Sequence, residues 1–288
     1  MSDKQPGPEG RFSALPGIAS VTLEGRDALA FAQAQFMSDV AALAPGHWHW
    51  SGWLTPKGRV IALFALLRPS PDTLQLLLLD ADPVEFAARL QRFVFRSKVV
   101  VRVDAGLAVS GTFKAPTGAA GARFAATGDG GLELDLGTPT HPRTLRVGPA
   151  CAHDDDDALA LDWRLADLAH GLPRLTSGQA ETWTPQQLSL DRLRAFSVRK
   201  GCYPGQEIVA RTHFLGQAKR GLVRLVAKME MPAGDVAGAA APARVLGQVV
   251  SRAGCEALAV MPLDAGDGPF EVSGVTCTSL PLLDGLER

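Results

Sequence analysis

The spacing of apolar and polar positions along the chain changes several times, and each change marks an element. Residues 25–36 have helical spacing, with Leu29, Phe31, Ala32 and Phe36 on one face. The runs 47–54, 60–67 and 73–79 are short, apolar and bounded by turn residues, so they predict strands. A second helix is signposted by Asp82 as N-cap, Pro83 at the first helical position and Glu85 completing a capping box. Phe86, Leu90, Phe93 and Val94 give it one buried face. Residues 98–103 and 107–112 read as strands, 115–131 as a Gly/Ala/Thr-rich loop, and 153–157 as a solvated acidic loop. A third helix is predicted over 158–170. A capping signal at Thr184-Pro185-Gln186-Gln187 opens a fourth, running to about Phe196.

From Lys219 onward the period shortens. Runs at 221–228, 243–252, 255–261 and 270–276 alternate with Pro/Gly turns, and 232–242 reads as an Ala/Gly/Pro connector. The expectation is an α+β protein with antiparallel or mixed sheets over residues 12–216, broken internally near 115–157, followed by a β-barrel domain over 217–288. Residues 1–11 read as a polar tail without the basic start and apolar run of a signal peptide.

Composition narrows the classes. With 288 residues, 46% of them hydrophobic, the chain can bury a sizeable core. A net charge of −1 gives no global basic field for nucleic acid, and no apolar run is long enough to cross a bilayer, so neither partner is expected. The cysteines, at 151, 202, 255 and 277, lack Cys-x-x-Cys spacing. That speaks against a zinc ribbon, an intrinsic iron–sulfur centre and a disulfide scaffold, and fits a reducing cytoplasm.

The chemistry concentrates in Lys200-Gly201-Cys202-Tyr203-Pro204-Gly205-Gln206-Glu207. Arg199 and Lys200 put cations beside Cys202, and a helix start follows; both favour a thiolate. The bland alternative is a cysteine serving as a small hydrophobe. Trp48, Trp50 and Trp53 fall on one predicted strand, expected on one face opposite His47 and His49, either to stack on a ligand or, more commonly, to pack against a helix.

This octet resembles the Lys-Gly-Cys-Tyr-x-Gly-Gln-Glu signature of the YgfZ family, which is related to the tetrahydrofolate-dependent T protein of the glycine cleavage system. Other segments are similar too: Phe31…Gln35…Asp39, the hairpin Leu54-Thr55-Pro56-Lys57-Gly58-Arg59, Arg96-Ser97-Lys98, Trp163…Gly171-Leu172-Pro173, Pro185-Gln186, Arg211 and Lys219-Arg220. The resemblance implies a ring of α+β parts around a central cleft that binds tetrahydrofolate, plus a C-terminal β-barrel. It also implies a cytoplasmic role in assembling or repairing iron–sulfur clusters, and hence in supporting tRNA modification. Partners would be a folate derivative and iron–sulfur client or assembly proteins. Two departures stand out. The T protein has two adjacent aspartates where this chain has Ala62 and Leu63, so aminomethyl transfer by that route is not expected. A family glutamate is replaced by Ala169.

Under this resemblance Cys202 is the functional thiol, with Lys200 beside it. Gln35, Asp39, Lys57, Arg96, Lys98, Tyr203, Gln206, Glu207 and Arg211 are the candidate folate contacts. A pterin edge suits a carboxylate, for which Asp39, Glu207 and Asp167 compete; the anionic tail suits Arg96, Lys98, Arg211, Lys219 or Arg220. Cys202 has three uses open to it: transient cluster ligand, mixed disulfide with a client, or attack on a one-carbon adduct with His213 as base. The family favours a cluster-related or redox use. The alternative class is a folate-dependent aminomethyltransferase-like or demethylating enzyme.

Overall fold

A computed structural model describes residues 12–150, 156–216, 218–239 and 241–288. The tail at 1–11 and most of the acidic run at 153–157 lie outside the described residues. In chain order the first elements are β1 (Ser13–Ala14), β2 (Ile18–Glu24), α1 (Ala28–Gln35), β3 (His47–Leu54), β4 (Val60–Ser70), β5 (Thr73–Leu79), α2 (Pro83–Gln91), β6 (Val100–Val103) and β7 (Leu107–Thr112). Then come β8 (Ala125–Ala126), β9 (Leu132–Asp135), β10 (Thr144–Pro149), α3 (Asp157–Ala169) and α4 (Gln206–Leu215). The last third is β11 (Arg220–Ala227), β12 (Asp235–Gly238), β13 (Ala241–Ala253), β14 (Glu256–Pro262), β15 (Phe270–Val272) and β16 (Val275–Leu280).

The strands form two five-stranded sheets, ordered β3-β4-β5-β2-β6 and β1-β7-β10-β9-β8, and a closed barrel ordered β11-β14-β13-β12-β15-β16. Strand pairing is antiparallel in all three. The first sheet is apolar on both faces because both are covered. Trp53, Phe64, Leu66 and Leu76 pack under α1 and α2 with Phe31 and Phe86. Trp48, Trp50, Leu63 and Leu77 join a second core shared with the second sheet, α3 and the turns before α4. At about 25 cal/mol per Å² of apolar area removed from water, this double burial is the main stabilising contribution here. The barrel has its own core around Leu225, Val236, Met261 and Phe270.

Several elements differ from expectation. Residues 185–194 form successive turns in place of the helix expected over 184–196, with Ser189 and Arg194 in the left-handed region at φ 48° and 53°, which an α-helix does not tolerate. The connector at 232–242 contains β12 and the start of β13. Phe93 lies beyond the end of α2 and is half exposed, so it is not part of that helix's buried face. Trp53 is odd in register where Trp48 and Trp50 are even, so it faces α2 and meets Phe86 and Phe93 edge-on. Asp82 caps α2 as expected, accepting from the Glu85 amide at 2.8 Å.

A buried ionic chain ties the parts together. Arg143 donates to Asp167 at 2.7 Å; Asp167 also accepts from Arg174, which pairs with Asp80 at the end of β5. Asp167 and Arg143 are each 1% exposed. With both oxygens engaged, Asp167 is not available to a pterin edge.

Candidate functional site

The octet forms an exposed turn braced from below. Cys202 is exposed, α4 begins at Gln206, and Gly205 is its N-cap at φ 80°. The brace is the hairpin between β3 and β4. Gly58 turns at φ 69°, donating to the Thr55 carbonyl, and lies directly under Gly205 and Ile208. A Cβ on Gly205 would fall 2.7 Å from both the Gly58 Cα and the Thr55 carbonyl oxygen, so the two loops fit only because both positions lack side chains. Arg59 of the same hairpin donates to the Thr182 carbonyl and to Gln187, fixing it to the turns before the octet. Val209 anchors α4 in the shared core, and Gln186 donates to its carbonyl.

Lys200 does not sit beside the thiol as a surface cation. It is 6% exposed, and its ammonium donates to the carbonyls of Phe36 at 2.5 Å and Ser38 at 2.8 Å, over the Tyr203 ring. Burial, opposed by Asp39, pushes its pKa down to about 8. Arg199 is exposed. Tyr203 is buried, donates to the Ser197 carbonyl and is pushed up to about 12 by burial. Gln206 donates to the Lys200 carbonyl. These three side chains therefore hold the turn in shape, while Cys202, Glu207 and Arg211 face solvent.

Around Lys200 lies a polar cluster that sequence reasoning missed. Ser38 donates to Ser51 at 2.7 Å and shares a hydrogen bond with His49 at 2.9 Å. Burial, assisted by Lys200 and opposed by Asp39, pushes His49 down to about 4, so it is neutral at pH 7. The only hint in the sequence was polar residues breaking an otherwise apolar strand. Asp39 accepts from Gln33. The side-chain carbonyl of Gln35 is buried without a partner among the described residues. His213 packs on Phe214 in the last turn of α4, and no described hydrogen bond joins it to Cys202. Lys57, Arg96 and Lys98 are exposed; Lys98 lies by the start of α1, where its amide donates to Asp27.

A second feature lies on the other side of the hairpin. A cavity of about 270 Å³ opens between α2 and residues 175–181, with Ala62 in its wall. Ile61, Phe86 and Leu175 supply apolar surface, and Asp80, Glu85 and Glu181 supply carboxylates. Asp80 is committed to Arg174, whereas Glu181 is held by Arg89 and by its own amide donating to the Val60 carbonyl. None of the eleven residues singled out from the sequence lines this cavity. Ala62 and Leu63 are both buried and face opposite sides of the sheet, and neither carries an acid. Ala169 is also buried, its carbonyl accepting from the Leu283 amide.

No family model matches the chain. It is similar to the "tRNA-modifying protein YgfZ" of Vibrio vulnificus, 26% identical over 247 residues, which is 80% of this chain and 74% of that protein. The protein of the same name from Colwellia psychrerythraea is 26% identical over 242 residues, 78% of this chain and 74% of its own. Among solved structures, glycine cleavage system aminomethyltransferase T from Bartonella henselae superposes with a TM-score of 0.69 over 96% of this chain and 86% of that one, at 14% identity. That likeness is one of fold, and with the YgfZ similarity it bears out the resemblance drawn from the octet along most of the chain.

Proposed function

We propose that this relative of the YgfZ proteins binds a tetrahydrofolate derivative and uses Cys202 in assembling or repairing iron–sulfur clusters of client proteins. The observation that carries the reading is the cavity at Ala62, which has binding chemistry but lacks the acids of the transferase. Its apolar walls and free carboxylate oxygens fit a flat heterocycle with paired N–H donors. Glu85 and the Glu181 oxygen not held by Arg89 would accept from the pterin edge, and Phe86 and Leu175 would flank the ring. Bound there, tetrahydrofolate supplies a carrier for a one-carbon unit. The residues at 62 and 63 hold no proton to move, which favours a binding role over aminomethyl transfer.

Cys202 stands on an exposed turn. Among the described residues no group of three or more His, Cys, Asp or Glu is placed to hold a metal ion. A cluster handled by Cys202 is then cargo, with its remaining ligands supplied by a client or assembly protein.

Calorimetric titration with 5-formyltetrahydrofolate tests the first half. Binding that weakens about tenfold in Glu181→Gln, equivalent to ~1.4 kcal/mol, but not in Glu207→Gln supports the cavity; equal affinity of all three proteins overturns it. For the thiol, Cys202→Ala is expected to keep ligand binding and fail to restore client enzyme activity in a deletion strain. Full rescue by that variant removes the thiol from the proposal.

A further inference from the structure

We propose that the segment from Arg89 to Arg102, whose first residue also lines the cavity, is a docking surface for single-stranded RNA. The chain as a whole is nearly neutral, yet these fourteen residues contain five cations (Arg89, Arg92, Arg96, Lys98 and Arg102) and no acid. Arg89 pairs with Glu181, and Arg102 with Asp104. Among the described residues no salt bridge engages Arg92, Arg96 or Lys98, and all three are exposed.

Two aromatic rings are interleaved with them. Phe95 is 84% exposed and Phe93 49%, whereas Val94 between them and Val99 beyond turn into the core under α1 and α2. Phe93 is fixed edge-on against buried Trp53, and the Arg96 guanidinium lies over the Phe95 ring at 5.2 Å. The segment leads into β6, an edge strand bonded only to β2, so no further strand of its sheet covers this side.

Cations that neutralise phosphates, alternating with flat rings on which bases stack, make up the general recognition chemistry for single-stranded nucleic acid. An acidic peptide would use the cations and leave the rings uncovered. An anionic membrane would need a wider apolar face than Phe93, Phe95 and Val100 offer, with Phe93 fixed against Trp53. Arg96 and Lys98, read from the sequence as contacts for a folate tail, do not line the cavity at Ala62 and are free for this role.

The test uses the full chain and a fluorescently labelled twelve-nucleotide oligouridylate, followed by anisotropy. Three phosphate-neutralising side chains predict a log–log salt slope of about −2, or roughly fifteenfold weaker binding at 200 mM than at 50 mM salt. Phe95→Ala, which removes an exposed ring and leaves the core intact, is expected to weaken binding about fivefold or more at every salt concentration without changing the slope. Arg96→Ala is expected to reduce the slope by about 0.7. The proposal is overturned by no binding at micromolar protein in 50 mM salt, or by Phe95→Ala binding as the parent does. Phe95-dependent association with phosphatidylglycerol vesicles in the absence of RNA binding also overturns it.

Discussion

Gly58 and Gly205, 147 positions apart in the chain, meet backbone to backbone: a Cβ on Gly205 would lie 2.7 Å from the Cα of Gly58. One is the turn of the Lys-Gly hairpin and the other the N-cap of α4. Gly205→Ala combines a left-handed φ of 80° with that collision. It is expected to cost about 3 kcal/mol, read as a lower urea midpoint, and to accelerate alkylation of Cys202 as the turn lifts from the hairpin. An unchanged midpoint would show that the two loops are not in contact in solution.

Lys200→Ala strips the buried Phe36 carbonyl of the Lys200 donor and leaves the Ser38 carbonyl with only the Val40 amide. At pH 7 a loss of about 2 kcal/mol is expected. The parent's folded pKa of about 8 lies below its unfolded value of 10.5, so between those limits the unfolded chain holds a proton that the folded chain has shed. Parent stability therefore gains on the variant as pH rises through that window. Urea titrations at pH 7, 8.5 and 10 check both the sign and the window.

Two histidines make the fold acid-sensitive. His49 and His170 are each held near 4 against 6.5 unfolded, with burial as the first cause in both and Arg143 the second for His170. The unfolded chain takes up protons first on acidification, so stability is full above about pH 6.5 and falls as pH drops towards 4. Replacing both by Gln is expected to flatten thermal unfolding temperature against pH over this range; a double variant as acid-sensitive as the parent refutes the assignment.

Asp167→Ala strands the Arg143 guanidinium, while Arg174 keeps Asp80, and a buried charge stripped of its partner costs about 3–5 kcal/mol. Calorimetry should show a much lower melting transition. A loss below about 1 kcal/mol would mean that water already solvates the chain of charges.

Ala62→Leu adds three carbons to the wall of the cavity. The expected result is at least tenfold weaker binding of 5-formyltetrahydrofolate with a thermal midpoint close to the parent's, since the added group fills empty space. Undiminished affinity would move the ligand elsewhere.

Much of this architecture was legible because its signals are local. The Asp82-Pro83-Glu85 start of α2, the apolar runs of β3, β4 and β5, and the short strands of the barrel are all written in adjacent residues. The segment at 184–196 misled because Thr184 and Gln187 do form a local cap-like hydrogen bond, while the two left-handed residues that stop a helix are Ser and Arg, not glycine. At the site, the octet stood out as a string. The inward turn of Lys200 did not, because its partners are carbonyls more than 160 positions away. The cavity at Ala62 was hidden for the same reason, since α2, β4 and residues 175–181 assemble it from three separate stretches.

The stretch following the barrel returns to the beginning of the chain. The Trp50 indole donates to the carbonyl of Leu286 at 2.7 Å, Arg288 bonds the carbonyls of Asp135 and Gly137, and the Leu283 amide reaches Ala169. During synthesis, then, the first sheet emerges from the ribosome long before its last partner does. Trp50 is translated more than two hundred codons ahead of the carbonyl that satisfies it, and for that interval the nascent chain holds an unfinished surface that a chaperone can recognise.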